Sequence, residues 1–153
     1  MTRVFDAKLL AACSEAALAQ APACHCLARD LSGWSSWPVA YREEHFVDVG
    51  TLARFAPEDA TIEEYHPNGT SYWAPEAPIA PHYYPYNQCG VWACVACARL
   101  YLRHNDDGAY HADRRIRRVS PGLVVDAPHA TDGREPPPEQ PDTPVDSGCE
   151  RII

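Results

Sequence analysis

An α+β fold, with an N-terminal helix packed on an antiparallel sheet, is predicted for this chain of 153 residues by three features. Apolar residues recur at helical spacing from Phe5 to Gln20, and segments with strand and turn character follow. The chain has 15 prolines, which disfavour long helices further along. Its cysteines include two close pairs, Cys24/Cys26 and Cys94/Cys97, which predict a Cys-rich clip that resembles a zinc ribbon.

The predicted helix presents one apolar face. Phe5, Leu9 and Cys13 recur at a spacing that places them on that face, and Pro22 ends the helix. Glu15 interrupts the apolar stretch, so we interpret it as a helix of the mature protein and not as a signal peptide. No apolar run approaches the roughly 20 residues of a membrane span, and we expect a cytoplasmic protein.

The predicted sheet comes from the middle of the chain. Residues 62–65 and 70–73 flank a Pro-Asn-Gly turn, which predicts a hairpin. Leu100 and Leu102 alternate with polar or aromatic residues in a second β region at 91–103, and a turn is predicted at 105–108. Residues 114–119 fit either a helix or a strand.

The last 28 residues differ in composition from the rest. Residues 126–153 contain six prolines and seven acidic side chains, against two arginines. Such a segment buries too little apolar surface to fold. We therefore predict a single α+β domain at 1–125 and a disordered, Pro-rich acidic tail at 126–153.

The two cysteine pairs predict a metal site. A two-residue spacer lets Cys94 and Cys97 bind one ion, and Cys24 and Cys26 can complete a tetrahedral set. Four cysteine ligands leave no open coordination position, so the predicted cofactor is a structural zinc ion. The predicted ligands are Cys24, Cys26, Cys94 and Cys97.

Two alternatives to this ligand set remain open. Cys89, His104 and His111 form a second group of candidate partners for the Cys94/Cys97 pair. The pair also lacks the Pro or Gly that zinc knuckles usually carry, and Cys24/Cys26 has a one-residue spacer. Several of the cysteines would then be small buried hydrophobic residues, as free cysteine often is.

Catalysis is disfavoured. A redox Cys-x-x-Cys motif needs a helix N-terminus, whereas a strand is predicted after Cys97. A nucleophilic cysteine needs a base within reach, and no local pattern selects one among seven cysteines and seven histidines. We predict a protein that is not an enzyme, with a Cys/His-dependent enzyme as an alternative.

The charge distribution disfavours nucleic acid as a partner, because the formal net charge is −8. The one basic cluster is expected to pair with Asp106, Asp107 and Asp113 on a solvated face. That cluster comprises Arg114, Arg115, Arg117 and Arg118. Aromatic side chains are common anchors of protein interfaces, and the predicted partner-binding residues are Tyr72, Trp73, Tyr83, Tyr84 and Tyr86.

Three segments carry a resemblance to known proteins. They read EYHPNGTSYWAP at 64–75, APIA at 77–80 and PYNQCGVWAC at 85–94, followed by Cys97 and Leu102-Arg103. They resemble a group of small uncharacterised proteobacterial proteins that often look like toxin-immunity proteins. The resemblance covers residues 64–118, and it departs from the group's pattern at Gly108-Ala109-Tyr110-His111 and by lacking a Gly after Cys97.

The resemblance implies a non-enzymatic binding protein, an immunity protein (antitoxin) that neutralises a cognate bacterial toxin by direct binding. A mildly acidic domain suits a basic toxin such as a nuclease. The alternative function is a zinc-ribbon adaptor that binds nucleic acid or a regulatory protein.

Overall fold

The antiparallel sheet and its packed helix are present in the computed structural model, which describes residues 3–20, 23–56, 58–107 and 112–129. Helix α1 spans Ala7–Gln20. Within the described residues the strands pair in the order β1-β5-β4-β3-β2, and every neighbouring pair is antiparallel. The strands are β1 (Ser35–Ser36), β2 (Phe46–Thr51), β3 (Gly90–Cys94), β4 (Leu100–Asp107) and β5 (Ala112–Arg118). The predicted α+β class is confirmed.

Helix α1 begins two residues later than predicted because Asp6 caps it. The Asp6 carboxylate accepts a hydrogen bond from the Leu9 backbone N–H at 2.7 Å, which satisfies one of the free N–H groups of the first turn. Phe5 precedes the cap and is fully buried. The buried face of the helix consists of Ala7, Leu10, Cys13 and Ser14. Pro22 lies outside the described residues.

The sheet has a hydrophobic core on each of its two faces. Side chains alternate between faces along a strand, so β3 and β4 contribute to both cores. The helix-side core contains Leu10 and Cys13 of α1 together with Val91, Ala93, Leu100 and Leu102. The opposite core, which we call the cysteine-side core, contains Cys26, Phe46, Cys94, Cys97, Tyr101 and Ile116. A sheet covered on both faces explains why β3 to β5 are poor in exposed apolar residues.

The predicted hairpin at 62–73 is wrong, although its turn is correct. Residues 62–65 and 70–73 form no strand, while Gly69 has a φ of 76° and donates to the His66 carbonyl at 3.1 Å. The segment bonds elsewhere: the Tyr84 N–H donates to the Glu63 carbonyl at 2.8 Å. Tyr65 of this segment also packs against Tyr83, with ring centroids 5.0 Å apart.

The other β predictions are partly confirmed. The region at 91–103 forms β3 and β4 with a tight turn between them, and residues 114–118 belong to strand β5. The turn predicted at 105–108 is misplaced, because residues 105–107 still pair with β5. Residues 108–111 lie outside the described residues. Of the disordered tail predicted at 126–153, residues 130–153 also lie outside the described residues, whereas residues 126–129 are described and Pro128 accepts a hydrogen bond from the Tyr83 hydroxyl at 2.9 Å.

Arg117 is a fully buried arginine of β5, and its hydrogen bonds connect the sheet to neighbouring loops. Its guanidinium donates to the carbonyls of Ser32 at 3.0 Å and Ala77 at 2.8 Å, and to the hydroxyl of Tyr86. The expected pairing of the basic cluster on a solvated face is therefore wrong for Arg117. Sequence patterns place arginine on a surface, but here several aligned acceptors compensate its burial.

Candidate metal centre

Four cysteine thiols meet in the cysteine-side core. Their Sγ atoms all lie within 4.8 Å of one another, although the two pairs are 70 positions apart in the chain. The closest approaches are 3.6 Å for Cys24–Cys94 and 3.6 Å for Cys26–Cys97. Cys26, Cys94 and Cys97 are buried, while Cys24 is half-buried. The structure brings together the four residues that the sequence predicts as ligands.

The spacing of the thiols fits a tetrahedral ion. Metal–sulfur bonds of about 2.3 Å in a tetrahedron give sulfur–sulfur edges of about 3.8 Å. The observed separations, from 3.6 Å to at most 4.8 Å, bracket that edge. All four donors are sulfur, which is the donor set preferred by zinc and by iron. The arrangement is thus compatible with a metal site.

The β3–β4 turn forms a knuckle that positions Cys94 and Cys97. Its ends are joined by a hydrogen bond from the Cys94 N–H to the Arg99 carbonyl at 2.9 Å. Inside the turn, the backbone N–H groups of Ala96 and Cys97 donate to the Cys94 sulfur. Such donors stabilise a thiolate, so the turn is prepared for a negatively charged ligand.

Ala98 occupies the position at which the sequence lacks the usual glycine. It has a φ of 68°, in the left-handed region, and its N–H donates to the Cys94 carbonyl at 2.8 Å. An alanine in this conformation brings its Cβ close to the neighbouring carbonyl oxygen, at a cost of about 1 kcal/mol. The knuckle therefore forms without its glycine, and the local strain lies at Ala98.

A one-residue spacer is a poor geometry for two cysteines that bind the same ion. Between Cys24 and Cys26, however, the chain enters a 3₁₀ helix at His25–Leu27. The Leu27 N–H donates to the Cys24 carbonyl at 3.0 Å, which folds the segment back on itself. The hydroxyl of Tyr41 donates to the Cys26 carbonyl at 2.7 Å. The hydroxyl of Tyr101 donates to the same carbonyl at 3.3 Å. These bonds fix the segment so that both sulfurs face the knuckle.

The thiols differ in proton affinity. Burial raises the pKa of Cys26 and of Cys94, in the second case against the backbone N–H donors of the knuckle. Burial also raises the pKa of Cys24, but the N–H of Cys26 and the neighbouring thiols outweigh it, so the net pKa is lowered. One thiolate is therefore favoured among buried thiols, and a bound cation would displace the remaining protons.

Two cationic or polar side chains flank the cluster. Arg99 is buried, and the neighbouring thiols of Cys97 and Cys26 raise the pKa of its guanidinium against the effect of burial. On the outer side, His25 Nδ1 lies 3.6 Å from the Cys24 sulfur. Four thiolates around a divalent cation leave an excess of negative charge, which Arg99 offsets. Sequence reasoning missed Arg99, although an arginine directly after a knuckle is a readable signal.

The alternative ligand set is not assembled. Cys89 lies in the helix-side core, where its thiol donates to the Pro85 carbonyl at 3.2 Å. His104 Nε2 pairs with the Tyr72 hydroxyl at 2.6 Å and stacks edge-on against Trp34. His111 lies outside the described residues. Cys89 and His104 thus lie on the face of the sheet opposite to the cluster.

The five aromatic residues predicted to bind a partner occupy three different environments. Tyr86 is buried beside Arg117 in the helix-side core. Tyr72 and the half-exposed Trp73 stack on the guanidinium of Arg115. Tyr83 packs against Tyr65 and His129, and the adjacent Tyr84 is only partly exposed.

Comparisons of this chain with protein-family models, with curated proteins and with solved structures found no match. In the described part of the chain, no helix has both the length and the apolar character needed to cross a membrane.

The left-handed backbone at Ala98 yields a prediction about stability. Ala98→Gly should raise the free energy of unfolding by about 0.5–1 kcal/mol, because glycine adopts positive φ without a Cβ clash. The matched control is Ala96→Gly, in the same turn but without a positive φ, which should lower it by a similar amount. Urea unfolding monitored by tryptophan fluorescence measures both. A decrease for Ala98→Gly equal to that of the control would contradict the assigned backbone.

Proposed function

We propose that the four cysteines bind one zinc ion and that this ion has a structural role. The observation that carries the proposal is the convergence of four sulfurs within 4.8 Å, supported by backbone N–H donors in the knuckle. With four protein ligands, the ion has no open position for water or substrate. Zinc fits this closed site because it tolerates a tetrahedral set of thiolates and has no redox chemistry.

The ion acts as a cross-link between distant parts of the chain. It joins the 3₁₀ helix at His25–Leu27 to the β3–β4 turn, across 70 positions of sequence. The link also holds the segment that leads into β1, which pairs with β5 through only two residues. A cross-link that closes a loop of this length stabilises a fold by about 4 kcal/mol through the entropy of the unfolded chain.

Metal analysis tests this role directly. Purified wild type should contain one zinc per chain, whereas Cys94→Ser should lose it and become less stable by about 3–5 kcal/mol. Cys89→Ser is the matched control, since Cys89 is equally buried but lies in the other core, and it should keep its zinc. Elemental analysis with thermal unfolding measures both effects. Equal zinc in wild type and Cys94→Ser, or none in either, would refute the site.

We further propose that the domain is an immunity protein, a non-enzymatic protein that neutralises a toxin by binding it. Support comes from a partly exposed surface, here called the acidic loop face, that consists of Ile62, Glu63, Glu64, Tyr65 and Tyr83. Ile62 is 79% exposed, although it is a large apolar residue. The loop is pinned in place by bonds from the Tyr84 N–H to the Glu63 carbonyl and from the Asn87 side chain to the Thr61 carbonyl.

The acidic loop face fits a basic protein partner. Ile62 and the tyrosine rings supply contact area. The carboxylates of Glu63 and Glu64 pair with His129 and His66 but stay partly exposed, so they attract cationic side chains and speed association. A toxin that acts on nucleic acid carries such a basic surface. An immunity protein that binds a toxin through this surface would act in the compartment where the toxin acts, which is the cytoplasm for a nuclease.

The arginines of the sheet disfavour the alternative of a nucleic-acid adaptor. Arg103 and Arg114 both bind the carboxylate of Glu43, and Arg103 lies 4.3 Å from each of the rings of Trp37 and Trp92. Arg115 is bonded to Asp113 at 3.0 Å. Phosphate contacts need cations that are available at the surface. These side chains instead pair with carboxylates and aromatic rings of the protein itself.

Co-expression with the product of a neighbouring toxin gene tests the immunity proposal. Wild type should restore growth and form a complex in gel filtration, and Ile62→Asp should weaken binding by about tenfold or more. Val39→Asp is the matched control, because Val39 is 99% exposed but lies outside the acidic loop face. Continued killing by the toxin with no complex for wild type would refute the proposal. Equal losses for both variants would refute the assigned surface.

A further inference from the structure

We propose that the cysteine cluster is also an oxidation site, in which a peroxide converts Cys24 and Cys94 into a disulfide and the metal ion is released. The proposal rests on the proposed zinc site. It adds a covalent modification and a class of oxidant to that site. The cluster would then have two states, one held by a metal ion and one held by a covalent bond.

The distance between the two sulfurs permits the bond. Cys24 and Cys94 Sγ lie 3.6 Å apart, and a disulfide requires about 2.05 Å. An approach of about 1.5 Å is within the reach of side-chain rotation at Cys24, whose segment is a single 3₁₀ turn at the surface. No rearrangement of the sheet is required, because Cys94 stays at the end of β3.

Exposure selects this pair over the other one. Cys26 and Cys97 are also 3.6 Å apart, but they are 0% and 6% exposed and lie under the side chains of Tyr41 and Tyr101. Cys24 is the thiol of the cluster that is not fully buried. A small oxidant that arrives from solvent therefore meets Cys24 first, and the Cys94 sulfur lies 3.6 Å from it.

The chemistry balances with hydrogen peroxide as the oxidant. The Cys24 thiolate attacks one peroxide oxygen, the O–O bond breaks, and a sulfenic acid and a hydroxide ion form. The Cys94 thiolate then attacks the Cys24 sulfur, the S–O bond breaks, and a second hydroxide ion leaves. The two sulfurs lose two electrons in total, and two protons from the buffer convert the two hydroxide ions into two water molecules.

The disulfide would connect the same two segments of the chain as the metal ion does. It joins the segment at 24–26 to the β3–β4 turn, as the ion does. Only Cys26 and Cys97 then remain as thiolate ligands, and two ligands do not hold zinc in a structural site. The link between the two segments is thereby kept while the ion leaves.

The test treats the zinc-loaded full-length protein with hydrogen peroxide. A chromogenic chelator records zinc release, and peptide mapping without reduction identifies the disulfide. We expect release of the zinc in step with a Cys24–Cys94 disulfide, and its recovery after dithiothreitol and zinc are added. Cys89→Ser should behave as wild type, and Cys24→Ser should slow thiol oxidation in the cluster by about tenfold.

Three results would overturn the proposal. They are zinc retained at peroxide concentrations that oxidise free cysteine, sulfinic acid at Cys24 without a disulfide, and a disulfide of Cys24 with any cysteine other than Cys94. Mapping of wild type decides the question even where Cys24→Ser does not fold. Absence of zinc in the untreated protein would refute the proposed zinc site and with it the release of metal, whereas the Cys24–Cys94 disulfide would still be decided by mapping of that metal-free sample.

Discussion

The convergence of four thiols on one point is the constraint on which the cysteine-side core depends. Three of these thiols are buried, and their burial makes ionisation unfavourable for Cys26 and Cys94. A cation at the centre reverses that penalty, because it replaces the protons and is attracted by every ligand. The backbone N–H donors of the knuckle and the guanidinium of Arg99 also stabilise the negative charge of the thiolates. Fold and site are therefore coupled through one electrostatic arrangement.

The two faces of the sheet are covered in different ways. Helix α1 covers one face with apolar contacts, whereas the other face is covered by irregular segments and the short 3₁₀ helix at His25–Leu27. Irregular segments bury less apolar surface per residue and need additional links. The cysteine cluster supplies such a link on one face, and the hydrogen bonds of buried Arg117 supply another among the loops of the helix side.

The sequence was informative wherever spacing alone determines geometry. Helical periodicity placed α1, and the two cysteine pairs predicted the thiols that the structure brings within 4.8 Å. It was misleading where long-range contacts decide the outcome. The residues on either side of Gly69 form no strand, and Tyr65 packs instead against Tyr83. Likewise, nothing in a run of arginines reveals that Arg117 meets carbonyl acceptors in the core, since those acceptors come from distant loops.

The missing consensus glycine was a poor predictor of whether the knuckle forms. The absence of glycine after Cys97 counted against a knuckle, yet Ala98 adopts the left-handed conformation that glycine usually provides. The hydrogen bonds of the turn outweigh a local cost of about 1 kcal/mol. A motif is thus better judged by whether its geometry can be reached than by whether each preferred residue is present.

X-ray absorption at the zinc edge of the purified protein tests the central claim most directly, because it reports the atoms bound to the ion. The account predicts a single shell of four sulfur atoms at about 2.3 Å, unchanged in Cys89→Ser. A shell that contains nitrogen or oxygen ligands, or a protein without zinc, would contradict it.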